Sequence, residues 1–587
     1  MNCSHCSGDL FGMGAPHGTA GADAVAGAAS PGLSARAASG GGPPATVFFG
    51  GTILTMDDRN PSAEAVAIAD NKIVAAGAKN EAIARAGPGA RQVDLQGRTL
   101  MPGIIDPHQH PLPGGLMLMH TLDVSYEQYK TKAEVLAALR VKAAQTAAGQ
   151  WIYASYYDNV LHGGYLTMDE LDAVSTAHPI FVYYVSMHSA TGNRRAFEAA
   201  GVDASTRELS GGGYFGVDAD GRQNGMIQEM PALMKFLVGF PKLTPAVIAE
   251  SMMNFLYQSA ALGITMVHEA GAFAQKADVF EGYKAMMTHS PVRYSVSPMV
   301  DYLDQAVQFI TPYGKPGPSA LQIPDSLLSF YAVKIVLDGS PQQESAYQSK
   351  PYFDSSDRGI ANYTNDKLRE LVAKVHNAGW PVSIHCNGDA SLEMALDAIE
   401  AAYGTSPAPT GINRIEHCPQ ATPDQIARMK KLGVQPSVLM NNLYYYGAAY
   451  RDRILGPDRA ARVYPHGDFL AAGIPFSIHS DCPCSPVAPL REIGTAVARV
   501  CSIDGSIVGP DQRVPIEAAL KGMTLVAATH VGMGDKLGSL EPGKYADLTI
   551  LEDDPRKVDP TKLGDVKVSQ TWVNGTAIET PSAKTVT

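Results

Sequence analysis

Between residues 102 and 534 the hydrophobic positions follow two periods in turn. In "TNDKLRELVAKVHNAG" the apolar residues from Leu368 to Val375 lie three or four positions apart, which is the spacing of one helix face. The short apolar run "PVSIH" follows at once and has the length of a buried strand. The same order recurs in "TPDQIARMKKLGVQPSV". Helices that alternate with short strands predict an α/β fold with a parallel sheet.

Eight runs of strand length occur in this part of the chain. They cover residues 104–108, 264–268, 293–297, 332–336, 381–385, 413–417, 434–438 and 475–481. Eight is the number of parallel strands that closes a (β/α)8 TIM barrel. The long segment between the first two runs, about residues 111–245, is predicted to be an insertion over the barrel mouth.

The two ends of the chain have a different texture. Residues 1–45 are rich in Gly, Ala, Ser and Pro, a composition typical of a flexible tail. Residues 46–101 and 535–587 contain short β-rich runs, with a hairpin signal at Asn574-Gly575. We therefore expect one small β-sandwich domain assembled from both chain ends.

Five of the eight predicted strands end in a residue that could take part in metal binding. These residues are His108 and His110, Lys334, His385, His417 and Asp481. The C-terminal ends of barrel strands meet at one face, and side chains two positions apart on a strand point the same way. Each residue alone also fits an ordinary hydrogen-bonded position, and Asp481 could cap a turn. Together they predict a site for a divalent metal ion, with zinc first and iron or manganese suited to the same ligands.

Three further residues leave alternatives open. His479 lies on the same strand face as Asp481 and is either a deeper polar contact or another active-site group. His268 and Glu229 are either structural or able to reach the site. The tyrosines of segments 153–159 and 441–450 either line a pocket for an apolar or aromatic substrate or pack in the interior.

Cysteine usage argues against a disulfide-rich protein. Seven cysteines in 587 residues do not make a disulfide framework, and the Cys3/Cys6 pair alone is weak evidence for zinc. Cys386, Cys418 and Cys482 each follow a predicted ligand, so alternation predicts that they point outward and are inert, although a thiolate ligand stays open.

The formal net charge is −12, without a basic cluster, which argues against nucleic acid or an anionic membrane as a partner. No apolar run approaches the ~18 residues of a membrane span, and no secretory signal is visible. We expect a cytoplasmic enzyme, a homo-oligomer, with a small-molecule substrate.

The order HxH, Lys, His, His, Asp on the first, fourth, fifth, sixth and eighth strands resembles the amidohydrolase superfamily. The segments "MPGIIDPHQH", "VKIVLDGS" and "GSLEPGKYADLTIL" resemble its N-substituted formamide deformylase-like branch. The resemblance covers roughly residues 46–580 and implies a barrel, a β-sandwich from both ends and a hydrolytic site with one or two metals. It also implies that Lys334 forms a carbamate that bridges two metals. The alternative is a salt bridge from Lys334 to a carboxylate such as Glu229 or Glu269.

The predicted activity is hydrolysis of a non-peptide C–N bond, of the N-substituted amide or formamide type. A metal-bound hydroxide would be the nucleophile, and Asp481 would shuttle its proton to the leaving nitrogen. The same residues would also suit a lactonase or a deaminase, because fold and ligands do not determine the bond. The alternative from another class is a degenerate barrel with a binding or regulatory role.

Overall fold

The computed structural model describes residues 45–209, 213–272, 283, 286–287, 289–314, 327–406 and 409–579. The predicted tail, with Cys3 and Cys6, lies outside these residues apart from its last position. The described chain opens with six short strands and one helix: β1 (Thr46–Phe49), β2 (Thr52–Ile53), β3 (Ala65–Ala69), β4 (Lys72–Gly77), α1 (Lys79–Ala86), β5 (Arg91–Asp94) and β6 (Thr99–Pro102). Asp70 and Asn71 have positive φ and make the turn between β3 and β4.

Strand β7 (Ile104–Gln109) follows, and the helix α2 (Pro111–His120) begins just after the second histidine. The inserted segment then forms a seven-stranded sheet in the order β12-β13-β14-β11-β10-β9-β8. Its strands are β8 (Leu122–Asp123), β9 (Ile152–Tyr157), β10 (Ile180–Tyr184), β11 (Ser189–Gly192), β12 (Glu208–Leu209), β13 (Gly213–Val217) and β14 (Gln223–Gln228). The helices of this region are α3 (Lys132–Gln145), α4 (Met168–Asp172), α5 (Arg194–Ala199), α6 (Met230–Leu233) and α7 (Pro245–Ala261). The segment buries two apolar clusters of its own.

Each of the eight predicted runs contains an observed strand. After β7 these are β15 (Ile264–Ala272), β16 (Arg293–Pro298), β17 (Leu328–Phe330), β18 (Val333–Val336), β19 (Val382–Cys386), β20 (Arg414–His417), β21 (Gln435–Leu439) and β22 (Ser477–His479). The fourth position holds two short strands, β17 and β18, where the sequence predicts one.

These strands form two parallel sheets, β17-β16-β15-β7 and β18-β19-β20-β21-β22. At one junction Met299 and Lys334 form a parallel bridge. At the other, the backbone N–H of Asp481 donates to the carbonyl of His108 at 3.0 Å, and that of His110 to Cys482 at 2.7 Å. This mixed α/β arrangement is consistent with a TIM barrel.

Local signals explain where the remaining helices begin and end. They are α8 (Leu303–Ile310), α9 (Asn365–Asn377), α10 (Asp389–Tyr403), α11 (Pro423–Leu432), α12 (Met440–Ala449), α13 (Pro457–Ala460), α14 (His466–Ala472), α15 (Pro489–Ala498), α16 (Ile516–Gly522) and α17 (Leu525–His530). Thr422 caps α11 through a capping box, and Gly433 ends the helix with φ 68°. For α9 the capping side chain belongs to Thr364, which accepts from the backbone N–H of Lys367. In the part of the chain that the structure describes, no helix is both long and apolar enough to cross a lipid bilayer.

The last strands return to the start of the chain: β23 (Leu548–Leu551), β24 (Val568–Val573) and β25 (Thr576–Ala577). Two sheets result, β4-β3-β1-β5 and β2-β6-β23-β24-β25. Strand β6 pairs antiparallel with β23. The rings of Phe48 and Trp572 meet edge to face with centroids 5.0 Å apart, inside an apolar cluster that both sheets share. The two chain ends therefore stabilise each other through one core.

Candidate metal centre

The ends of the parallel strands bring most of the predicted residues together. Ligand atoms of His108, His110 and Asp481 lie within 4.8 Å of one another, and so do those of His108, His417 and His479. The His417 ring centroid lies 4.6 Å from that of His385. The ammonium nitrogen of Lys334 lies 3.2 Å from His108 Nε2. All six predicted site residues thus occupy one neighbourhood.

His108 is oriented by a buried carboxylate. Its Nδ1 lies 2.6 Å from Oε2 of Glu416, and the other carboxylate oxygen accepts from Ser383 at 2.6 Å and Arg414 at 2.8 Å. All four side chains are buried. Because Glu416 takes the Nδ1 side of the ring, Nε2 of His108 is directed towards Lys334 and Asp481. A carboxylate behind a ligating histidine is the usual support of a protein metal site.

Lys334 is 2% exposed, and its neighbours explain how a lysine is tolerated there. Burial lowers the pKa of its amine to about 8, although Glu416 and Asp481 act in the opposite direction. Neither alternative partner contacts it: Glu269 accepts hydrogen bonds from Tyr283 and Tyr294, and Glu229 pairs with His188. Gly271 lies beside it with φ 123°, a backbone conformation that favours glycine.

The other side of the site is more open. The side chains of His110 and His385 are 29% and 17% exposed, and Oδ1 of Asp481 lies 3.3 Å from His110 Nε2. Asp338 holds His385 through Nδ1 at 3.2 Å and is itself fixed by the backbone N–H groups of Asn387 and Gly388. Burial alone would raise the pKa of Asp481, but the imidazoles of His417 and His108 bring it well below its usual range.

His417 and His479 form a pair deeper in the site. His417 has φ 67°, so its side chain leaves the alternation of β20 and turns towards the other histidines. Its Nδ1 lies 3.2 Å from Nε2 of His479, whose Nδ1 lies 2.8 Å from the Ser437 hydroxyl. His479 also stacks on His108 with a centroid separation of 4.5 Å. Whether it acts as a deeper polar contact or as another active-site group, His479 therefore contacts residues of the site.

The donor set fits a divalent metal ion. Burial lowers the pKa of His108 and His417, which favours the neutral imidazoles that metals bind. Two imidazoles are backed by carboxylates, and a third carboxylate, Asp481, faces the cluster. Nitrogen and carboxylate donors of this kind suit zinc, iron and manganese alike.

Sequence reasoning missed Glu416 and the role of Asp338. Arg414 and Glu416 stand two positions apart in the strand "RIEH", and opposite charges on one strand face were the signal available. Asp338 lies just after β18, and the sequence gives no sign of its partner. It contacts His385 on the neighbouring strand β19.

The structure shows the contacts of the other residues whose roles the sequence leaves open. His268 is buried, and its Nε2 lies 2.9 Å from the Ser297 hydroxyl. Glu229 pairs with the exposed His188. Cys386, Cys418 and Cys482 are buried, and burial raises the pKa of each thiol, as their inert role requires.

The tyrosine-rich segments are divided between cavity and interior. Tyr156, Tyr445 and Tyr446 line a cavity next to the Asp481 loop. Tyr157 instead lies in an apolar cluster of the inserted sheet, and its hydroxyl donates to the carbonyl of Gly164 at 2.7 Å. Of this adjacent pair, Tyr156 therefore lines the cavity and Tyr157 packs in the interior.

Comparison with known proteins gives matches over nearly the whole chain. The profile described as the amidohydrolase family matches residues 91–578. N-substituted formamide deformylase of Arthrobacter pascens is 26% identical over 555 residues, covering 90% of this chain and 97% of that protein. Protein LONG AFTER FAR-RED 3 of Arabidopsis thaliana is 26% identical over 518 residues, covering 85% and 86%. An uncharacterized metal-dependent hydrolase from Pyrococcus horikoshii shares the fold, with TM-score 0.69, 24% identity and coverage of 88% and 99%.

Proposed function

Since the chain belongs to the amidohydrolase family, we propose that it is a metal-dependent hydrolase of a non-peptide C–N bond in a small, apolar or aromatic molecule. The observation that carries the proposal is the convergence of His108, His110 and Asp481, backed by Glu416. The formamide deformylase of Arthrobacter pascens supports the C–N bond and an N-substituted amide or formamide.

In this proposal the histidines and Lys334 hold the metal. His108, His110, His385 and His417 would bind a divalent ion, zinc in the first instance. Lys334 would react with carbon dioxide to form a carbamate, with loss of a proton from its nitrogen, because its lowered pKa leaves a larger neutral fraction of the amine at physiological pH. The two carbamate oxygens would then allow a second ion to bind. A bound divalent metal lowers the pKa of a coordinated water and polarises a carbonyl group.

Asp481 would move the proton. Its Oδ1 lies 3.2 Å from His108 Nε2 and 3.3 Å from His110 Nε2, so the carboxylate stands where those two rings converge. With its pKa held low it is ionised at neutral pH and can accept a proton from the attacking water. It would then donate that proton to the leaving nitrogen.

Metal analysis and a substrate panel test the proposal. The purified protein is expected to contain one or two divalent ions and to hydrolyse at least one member of a panel of N-substituted amides, formamides, carbamates and lactones. Replacing both His108 and His110 with Ala should remove metal and activity while the fold is kept. A matched variant, His178→Ala with His188→Ala, removes two imidazoles from the inserted segment and should retain both.

Three outcomes would count against parts of the proposal. Unchanged metal content in the first double variant contradicts the ligand assignment. Hydrolysis of lactones alone contradicts the C–N bond. Near-zero metal after metal-supplemented expression favours a binding or regulatory protein.

A further inference from the structure

A cavity of about 320 Å³ begins at the loop that follows Asp481. Cys482 and Cys484 of this loop line it, and the backbone N–H of Cys484 donates to the Asp481 carbonyl at 2.8 Å. Cys482 directly follows Asp481 in the chain, so the cavity wall continues into the loop that carries this predicted site residue. The cavity volume is in the range of small-molecule sites, ~300–1,000 Å³.

The opposite wall comes from the inserted segment. Leu161 and Val185 belong to this segment, while Phe255 of α7 and Tyr446 of α12 complete a lining that is mainly apolar and aromatic. The ionisable groups of the lining are acidic apart from tyrosines and cysteines: Asp123, Glu127 and Asp158. Among the described lining residues there is no lysine, arginine or histidine. An aromatic group is therefore favoured there, and an anionic one is disfavoured because the described lining offers it no cation within an apolar environment.

Two of the acids are already engaged in holding the wall in place. Asp158 accepts from the Tyr446 hydroxyl and from the backbone N–H groups of Val160 and Leu161 at 2.8 and 3.0 Å. Glu127 accepts from Tyr445 and, at 2.5 Å, from Arg491. Both contacts join the inserted segment to α12 or α15. The wall is thus pre-formed, and the hydroxyl groups of Tyr445 and Tyr446 are occupied.

Tyr156 differs from these tyrosines. The β9–β10 register shifts between the pair Ala154–Val182 and the pair Tyr157–Tyr184, so β9 contains one extra residue there. Tyr156 has φ 72° within this bulge, a left-handed conformation that is unfavourable for a tyrosine. Bulges of this type redirect a side chain, and this one places Tyr156 in the cavity wall.

The hydroxyl of Tyr156 is available to a ligand. Within the described part of the chain no residue forms a hydrogen bond with it. The neighbouring tyrosines of the same sheet are used internally: Tyr153 donates to the carbonyl of Phe236, Tyr157 to that of Gly164, and Tyr184 lies 2.8 Å from the Thr191 hydroxyl. A strained backbone thus delivers a polar group into an otherwise apolar wall.

We propose that this cavity binds an aromatic group of the substrate that carries no negative charge, and that the Tyr156 hydroxyl positions it by a hydrogen bond. The proposal rests on the proposed hydrolase function, because it assigns the cavity to the substrate of that site. Tyr156 is a specificity-determining residue in this view, and Tyr157, next to it in the chain, is the matched control.

Binding of three probes to the full-length protein tests the idea without requiring turnover. The probes are 2-phenylethylamine, 2-phenylethanol and 3-phenylpropionate, followed by isothermal titration calorimetry. We expect the amine and the alcohol to bind, and the carboxylate to bind at least about tenfold more weakly. Tyr156→Phe should weaken the alcohol about 2- to 10-fold, the effect of one hydrogen bond, whereas Tyr157→Phe should leave its affinity unchanged.

Contrary results are clear. Equal affinity for the carboxylate, equal effects of the two tyrosine variants, or no saturable binding of any probe would each overturn the proposal. 2-Phenylethanol has no bond to hydrolyse, so its binding is independent of the reaction. Absence of hydrolysis with normal probe binding and a normal Tyr156→Phe effect counts against the hydrolase function, and leaves the cavity as a binding site.

Discussion

The two sides of the candidate metal centre are built differently. On the buried side, Lys334, His108, Glu416 and Arg414 form a set of charges and dipoles in which each side chain contacts the next. On the open side, His110, His385 and Asp481 retain partial exposure. The buried side is therefore organised before any ligand arrives, and the open side is where a substrate can approach. Substitutions on the two sides should therefore fail in different ways.

The largest effect is expected from Lys334→Ala on the buried side. This variant should lose at least one metal ion and detectable activity, because an alanine at this position cannot form the bridging carbamate. Formate or acetate should restore part of both by occupying the vacated space. Metal analysis and turnover with and without added carboxylate measure this.

Lys544→Ala provides the control, since Lys544 is also buried but donates to the Leu537 carbonyl, outside the metal centre. Two metals and normal turnover in Lys334→Ala, without added carboxylate, would contradict the bridging role.

On the open side, Asp481→Asn should lower turnover by about 10²- to 10⁴-fold, the range for loss of acid–base catalysis. Much of the metal should remain, because Asn still offers an oxygen but cannot carry a proton. Steady-state kinetics and metal content on the same preparation separate the two effects. Near-normal turnover at neutral pH would exclude the proton-shuttle role.

Glu416 supports the buried side and Asp338 supports the open side, so variants of these two carboxylates test whether the sides differ. Glu416→Gln and Asp338→Asn should each weaken metal binding about 10- to 100-fold, measured by chelator competition. Only Glu416→Gln leaves a buried arginine without its anion, so it should also cost about 3–5 kcal/mol in the free energy of unfolding. If denaturant unfolding shows the same loss for both variants, the distinction between the two sides does not hold.

The smallest effect is a pH dependence of stability in metal-free, carbon dioxide-free protein. Burial lowers the Lys334 pKa from 10.5 to about 8. Between these values the unfolded chain binds a proton that the folded chain lacks, so this lysine makes the free energy of unfolding rise with pH. Lys334→Met should remove that rise, and unfolding curves from pH 7.5 to 10.5 compare the variants. An unchanged pH dependence would contradict a neutral buried amine.

Much of this arrangement could be predicted because each apolar run stops at a residue with different chemistry. His385 and Asp481 could be located from the chain alone, since burial and polarity change at the strand end. Glu416 could not, because alternation predicts that the neighbour of an inward His417 points outward. The positive φ of His417 breaks that alternation and lets both side chains serve the site.

The inserted segment was harder to predict for a related reason. Its position was recognisable from its length, but an adjacent Tyr156 and Tyr157 give no sign of which one faces the cavity. The answer depends on a one-residue register shift against β10, a long-range pairing that no local pattern encodes. Partner choice between strands therefore limits such predictions more than strand identity does.

The pairing of β6 with β23 has a consequence for biosynthesis. Thr99 is bonded across the sheet to Leu551, about 450 residues further along the chain. At ~5–20 residues per second the ribosome needs roughly 20–90 s to deliver that partner. During this interval the edge of β6 that pairs with β23 has no partner, and Trp572 is not available to cover Phe48. Until its final strands emerge, the nascent chain therefore exposes a strand edge and an apolar ring that the folded protein covers.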